Sequence, residues 1–262
     1  MNSISANFRI FSMLLRRDMH VLRQRILGIW FDTMVILCLD IMLFACLIPL
    51  MGLPASMIAP IFLGSAIGQM FFKVTARSFD SIRDIHFTKF IEYHLTLPLP
   101  KTWLFAQIIC SWVIETVAGI APFIIIGVIA LHKFFALSLI GWLKGIPFFI
   151  LVATIMNMGG FACSYYYEYS WFMHNVWPRR YGLIYTLCPV YFSWEQAHAF
   201  SPRVAQLLLI NPLTYCVEGF RSAMLGSNQF IAASLCMGAL TFFGMISILM
   251  LRTGVKKRLD PV

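Results

Sequence analysis

From Trp103 to Leu131 the chain carries a single charged side chain, Glu115. A helix over that stretch would rise about 40 Å at about 1.5 Å per residue, enough to cross a hydrocarbon core of about 30 Å. Nothing constrains the fold more, because a spanning segment must satisfy its own backbone hydrogen bonds. The rest of the chain agrees. Hydrophobic residues make up 60% of the 262 residues, charged residues 12%, and mean hydropathy is +0.80. An average soluble domain is about 25% charged, so an integral membrane protein is expected.

Six apolar stretches are candidates for spans: 26–50, 54–72, 103–131, 142–165, 181–194 and 231–251, the fifth being short. No stretch alternates at strand length as a membrane barrel would. The expected fold class is therefore all-α and polytopic, a single transmembrane domain over residues 1–262. Sixteen Lys and Arg fall before span one, between spans two and three, between four and five, and after six; the other side has four, Lys133, Lys144, Arg203 and Arg221. The positive-inside rule then places both termini in the cytoplasm. The basic excess is assigned to these loops and not to nucleic acid.

Three segments outside the spans stand out. In residues 1–25, Ile4, Phe8, Phe11, Leu15, Met19 and Leu22 share one helical face, with Arg9, Arg16, His20 and Arg23 opposite. This pattern predicts an amphipathic helix lying in the headgroup plane, against the lipid bilayer. Residues 73–101 form the longest cytoplasmic segment, with a helix-compatible start ended by Pro98 and Pro100. Its apolar residues occupy more than one side, as expected for contact with both bilayer and another protein. Residues 195–228 are extracytoplasmic. There an apolar run too short to span precedes Asn211-Pro212, a helix-start pattern. Glu218 and Arg221 lie three apart and can pair on one face. A re-entrant pair of short helices fits this segment.

Ionisable residues within spans are Asp32, Asp40 and Glu115. Asp32 is near enough to a span end to reach water or Arg25. Asp40 and Glu115 lie deeper, with no partner evident in the sequence, and either line a polar pathway or are buried against hydroxyl or backbone groups. Tyr165 and Tyr166 open an aromatic cluster that fits either a sugar-binding pathway or an interfacial belt. Gly64 and Gly68 form a GxxxG, which permits close helix approach without marking a dimer interface. The seven cysteines are scattered with no CxxC, so neither a disulfide framework nor a metal site is expected. No catalytic constellation emerges among the six histidines.

Asn211-Pro212-Leu213-Thr214-Tyr215, followed by Glu218, Arg221 and Leu225-Gly226, resembles the closing signature of ABC-2 type permeases, the membrane subunits of ATP-driven exporters. The resemblance extends over essentially the whole chain, since the entry helix, the spans, the long second cytoplasmic segment and the signature fall in family order. Where the family often has Gly-Thr-Leu-Glu in its coupling helix, the chain reads Lys89-Phe90-Ile91-Glu92. The turn after span five is Ser193-Trp194 in place of Ser-Gly. The resemblance implies a homodimer docked to two copies of an ABC ATPase subunit in a bacterial inner membrane. It makes Arg83, Asp84, Phe90, Ile91, Glu92, Leu95 and Pro98 candidates for coupling to that ATPase. It makes Asn211, Pro212, Tyr215, Glu218 and Arg221 the signature and external gate. Asp40, Glu115, Tyr165 and Tyr166 are the candidate pathway residues. The chain has no GxxxxGK[ST], so ATP and Mg are expected on the partner, with no cofactor and no catalytic residue on this chain. The implied substrate is amphiphilic: a lipid-linked or lipo-oligosaccharide glycan, or a hydrophobic drug. A self-contained secondary transporter or channel is the alternative, but no inverted internal repeat supports it. A membrane-embedded enzyme would need convergent polar residues at one depth.

Overall fold

The computed structural model describes residues 3–50, 52, 54–89, 93, 94, 96, 98–135, 138–226 and 229–259. Every regular element among them is a helix, and five are long and apolar enough to cross a membrane.

The first helix, α1, runs Ser3–Met42 and continues through a π-helical turn, Leu43–Leu47, to residue 50. The separate interfacial helix expected over residues 1–25 is thus not a distinct element: no break falls at residue 25. Residues 3–27 contain neither Gly nor Pro, and their Arg, Leu and Met are good helix formers. Such a helix is about 70 Å long, at about 1.5 Å per residue. Its first half lies along α3, Lys101–Ala130. Phe11 meets the Trp103 ring edge-on at 5.9 Å, Gln107 Nε2 donates to Asp18 Oδ2 at 2.7 Å, and Trp30 Nε1 donates to the Ala118 carbonyl at 3.0 Å. The contacts advance together along both chains, so α1 and α3 are parallel.

Between them in sequence, α2 spans Ile58–Arg83, eleven residues beyond the expected end of span two (72 to 83). Lys73 does not end the helix, because Val74, Ser78, Ser81 and Ile82 keep one face buried. Ser81 Oγ donates to Ser164 Oγ at 3.0 Å on the end of α4. The helix closes through a π turn, Asp84–Thr88, and Lys89 takes a left-handed φ of 53°. The coupling candidates Phe90, Ile91, Glu92 and Leu95 lie outside the described residues.

Helix α4 is Leu139–Ser164, started by Ser138, whose Oγ accepts from the Gly141 amide at 3.1 Å. The fifth expected span, 181–194, is displaced. Its helix, α5, covers 169–186, and ten of those residues, Phe172–Tyr181, are π-helical and include Pro178. Arg179 and Arg180 had marked this stretch as a loop, whereas aromatic packing holds it in the helix: Phe172 and Val176 are buried, and Phe79 meets Phe172 at 4.9 Å. Residues 187–193 then turn back before Pro189 can enter a helix.

Three short helices follow, not the expected pair: α6 (Trp194–Phe200), α7 (Pro202–Leu208) and α8 (Pro212–Leu225). Ser193 and Gln196 close a reciprocal capping box on α6. The Asn211 side chain accepts from the Leu213 amide at 3.0 Å to start α8, with Pro212 in its first turn. The last helix, α9, is Ala233–Leu259 and lies parallel to α4, with Gly244 near Ile155 and Gly254 against Tyr165.

These contacts gather Phe11, Trp103, Phe105, Tyr165 and Val255 at one end of the bundle, so the beginning of α1 and the end of α9 share it. Arg83 and Lys101 are at this end too, and it is called the basic end below. The far end holds the start of α2, the 187–193 turn and α6–α8. Helix α2 runs through the centre, where Phe62 stacks on Phe123 at 5.2 Å. By contrast α1 and α9 turn broad apolar faces outward, with Leu27, Phe31, Phe242 and Leu249 exposed.

Candidate functional site

The far end is organised around Arg221, which is fully buried. Its Nε donates to the Pro60 carbonyl at 2.8 Å. Its Nη1 donates to the carbonyls of Pro189 and Phe192, each at 2.7 Å, and to Glu218 Oε1 at 3.1 Å. Nη2 donates to the Val190 carbonyl. Glu218, also fully buried, accepts from the Trp194 amide at 3.2 Å and from the Ile231 amide at 3.4 Å. The pair expected from its spacing is therefore formed, and it fastens α8 to the start of α2, the 187–193 turn, α6 and the approach to α9. A planar guanidinium suits this role because its donors are fixed in a fork. Gly64 lets the fork in: a Cβ there would stand 2.3 Å from the Val190 oxygen and 2.4 Å from Arg221 Nη2. The Gly64–Gly68 pair thus packs within the chain, with Gly68 against the Tyr185 ring.

The other residues of the Asn211–Tyr215 stretch close the same knot. Asn211 Nδ2 donates to the Ile184 carbonyl at 2.6 Å, tying α8 to the end of α5. Tyr215 and Thr214 hydroxyls donate to the Leu209 and Leu208 carbonyls at 2.8 and 2.7 Å. Beside the knot is a cavity of about 400 Å³, lined among others by Tyr191, Phe192, Glu195 and Gln229.

A second polar region occupies the basic end. A cavity of about 570 Å³ opens between α1, α2 and α3 and reaches the turn after α2. Arg77 forms an ion pair with Glu115, so the deep carboxylate on α3 has a partner one helix away. The Arg77 guanidinium also lies over the Trp112 ring, 5.9 Å from its centroid. Arg17 pairs with Asp18 at 2.8 Å and meets His94 Nε2 at 3.1 Å. Arg83 pairs with Asp80 at 3.0 Å. Asp84 accepts from the Thr88 hydroxyl. One turn from Arg77, the Lys73 ammonium lies over Gly119, where a Cβ would collide with it.

The other pathway candidates are elsewhere. Asp40 Oδ2 accepts from Ser65 Oγ at 2.8 Å, the hydroxyl partner that the sequence left open. Tyr165 is buried with Phe105, Phe161 and Val255. Tyr166 donates to the Met250 carbonyl at 2.8 Å on α9. The four candidates do not share one cavity: Glu115 lines the basic-end cavity, and Asp40, Tyr165 and Tyr166 do not. Of the coupling candidates, Arg83 and Asp84 line it, and Pro98 lies in the turn leading into α3. Asp32, left open to water or Arg25, forms no ion pair with Arg25 within 4.0 Å among the described residues, and the Lys73 ammonium is a cation that it acts on.

Arg77, Lys73, Asp18 and Gln107 were not singled out by sequence. The signal was present in the four-residue spacing of Lys73 and Arg77, which puts them on one face once α2 continues past residue 72. The chain matches no protein-family profile, no curated protein and no solved structure.

Proposed function

We propose that the chain is the membrane subunit of an ABC exporter, a homodimer driven by two copies of a separate ATPase. It carries no catalytic residue of its own and exports an amphiphilic substrate, a lipid-linked or lipo-oligosaccharide glycan or a hydrophobic drug. The observation that carries this reading is the Arg221 knot. The residues that resemble the closing signature are the ones that fasten the far-end segment to α2, α5 and α9. The convergence of their donors and acceptors on one knot supports the reading. The absence of a phosphate-binding loop in the sequence is consistent with an ATPase on another chain. The basic end faces the cytoplasm, where the turn after α2 docks on that ATPase, and α5 completes six spans. Helices α6–α8 act as a re-entrant closure on the opposite side.

The test is purification of the tagged chain from its native membrane, with identification of the proteins that come with it. A stable complex of two membrane and two ATPase subunits is expected. A chain that purifies alone and is active alone contradicts the reading. Orientation is checked with a reporter that works only in the cytoplasm: it should be active after Val262 and silent after Ser227, and the reverse would place the ATPase face wrongly.

A further inference from the structure

Two cavities adjoin at the far end, one polar and one apolar, and Met224 lines both. The polar one, about 320 Å³, is formed by the start of α4, the end of α8 and the start of α9. The apolar one, about 200 Å³, lies between α3, α4 and α8, and its side chains are aliphatic or aromatic throughout. Helix α4 fixes their order. Ser138, Gly141 and Lys144 line the polar cavity, whereas Gly145, Phe149 and Ile150 line the apolar one. Gly141 to Phe149 is about 12 Å at about 1.5 Å per residue, so the apolar cavity lies deeper in the bundle. Helix α8 agrees, since Gly226 just past its end lines the polar cavity and Phe220 the apolar one. The partition between them is the Met224 thioether, for which Gly145 leaves room, and an unbranched side chain of this kind repacks readily. A polar chamber at the bundle end with an apolar one further in has the polarity order of one bilayer leaflet.

The polar chamber holds unused donors. Lys144 is exposed and has no carboxylate within 4.0 Å among the described residues. Ser138 Oγ accepts from the Gly141 amide at 3.1 Å, and Ser222 Oγ from the Ala233 amide at 3.2 Å. Among the described residues neither hydroxyl donates, so each proton is free to bond a ligand oxygen. Ser222 is buried, so the oxygen that meets it must enter the chamber. The apolar chamber opens sideways, where Ile125, Ile146 and Ile150 are exposed on helices long and apolar enough to span. An apolar cavity of about 150 Å³ stays dry and takes in a hydrocarbon, and this one is larger. A free phosphate would use only the first chamber and a hydrocarbon only the second. A glycerophospholipid uses both: its phosphate and ester oxygens accept, and one acyl chain enters from the bilayer.

We infer that the two cavities form one site for a glycerophospholipid of the far-end leaflet, its phosphate held by Lys144 and Ser222 and one acyl chain lodged between α3, α4 and α8. The chain passes Met224, so the bound lipid joins α8, and with it the Arg221 knot, to α3. The site does not depend on the exporter reading, and its test uses no ATPase.

The purified, delipidated chain is titrated with dioleoylphosphatidylglycerol, dioleoylglycerol or glycerol 3-phosphate, a whole lipid and its two halves. Retained ligand is read by native mass spectrometry and the unfolding midpoint by thermal scan. Saturable retention of one phospholipid per chain with a raised midpoint is expected, and neither half should match it. Ala121→Phe fills the apolar chamber and should weaken retention about tenfold, the loss of roughly two buried methylenes. Ile126→Phe, exposed on the same helix outside the cavity, should leave it unchanged. Lys144→Gln should weaken retention about fivefold, the net worth of one hydrogen bond, and Lys144→Arg should restore it. Lys133→Gln, at an exposed lysine outside the cavity, is the control. Both lysines are exposed, so these variants keep the test intact should Ala121→Phe fail to fold. Absence of saturable phospholipid retention, equal retention of dioleoylglycerol, or a full midpoint shift from glycerol 3-phosphate overturns the inference. So does equal retention by the Lys144→Gln and Lys133→Gln proteins, or a lipid-free dimer that Ala121→Phe dissociates, which would make a second copy the occupant.

Discussion

Arg221 at the far end and Arg77 at the basic end are both half of an ion pair inside the bundle, yet they sit in opposite surroundings. Arg221 has no exposure and reaches four backbone carbonyls besides its carboxylate. Arg77 remains 28% exposed, with Glu115 at 21%, and borders a cavity. The first arrangement is closed: every guanidinium nitrogen has an acceptor, and any movement of α8 against α2 would break several bonds together. The second is open, with ion pairs that can exchange partners at little cost. Rigidity therefore belongs to the far end and adjustability to the basic end, the division expected if force enters at the basic end.

Substitutions should separate the two regions. The largest effect is expected from Arg221→Ala, which strands four carbonyls and a buried Glu218. A loss of about 3–5 kcal/mol is predicted for breaking a buried pair, read as a lowered unfolding midpoint and low accumulation in membranes. Arg221→Lys should recover little, because one ammonium cannot reproduce the fork. In a cycle with Glu218→Ala, the double variant should lose less than the sum of the singles; strict additivity would mean that the two residues do not interact. Gly64→Ala comes next. The added methyl meets backbone and guanidinium atoms that are themselves fixed, and overpacking of this kind costs about 1–3 kcal/mol, measurable in the same thermal scan. Asn211→Ala removes a helix cap and the bond to Ile184, for about 1 kcal/mol.

The smallest loss of stability should come from Arg77→Gln, under about 1 kcal/mol for a partly solvated pair. Its effect on export should nevertheless exceed that of Asn211→Ala. If Arg77→Gln unfolds the protein as Arg221→Ala does, the contrast between a closed and an open site fails.

The sequence made local relations legible and hid distant ones. The Glu218–Arg221 pair could be read because three residues along a helix bring side chains together whatever else the chain does. The carbonyls of Pro60, Pro189, Val190 and Phe192 could not, because they come from α2 and from a turn that hydropathy placed inside a span. The long apolar helices α3, α4 and α9 appear close to where composition puts them. Helix α5 does not, since its stabilisation comes from Phe172, Trp177 and Tyr181 packing on Phe71, Phe72 and Phe79, contacts without a periodic signature. At the basic end, Lys73 and Arg77 looked like loop charges because an apolar window stops at the first lysine. The backbone hydrogen bonds of α2 do not stop there, so both cations are carried into the bundle.

ATP-driven export in proteoliposomes is the most direct test. The chain is reconstituted with the ATPase that co-purifies with it, and ATP hydrolysis is measured as lipid-linked glycan or hydrophobic drug is added. Hydrolysis that rises with one of these substrates, together with its movement across the bilayer, is the expected result. Glu92→Lys should abolish both while the complex stays assembled. Substrate movement driven by an ion gradient, with no ATPase present, would contradict an ABC exporter and establish a self-contained transporter.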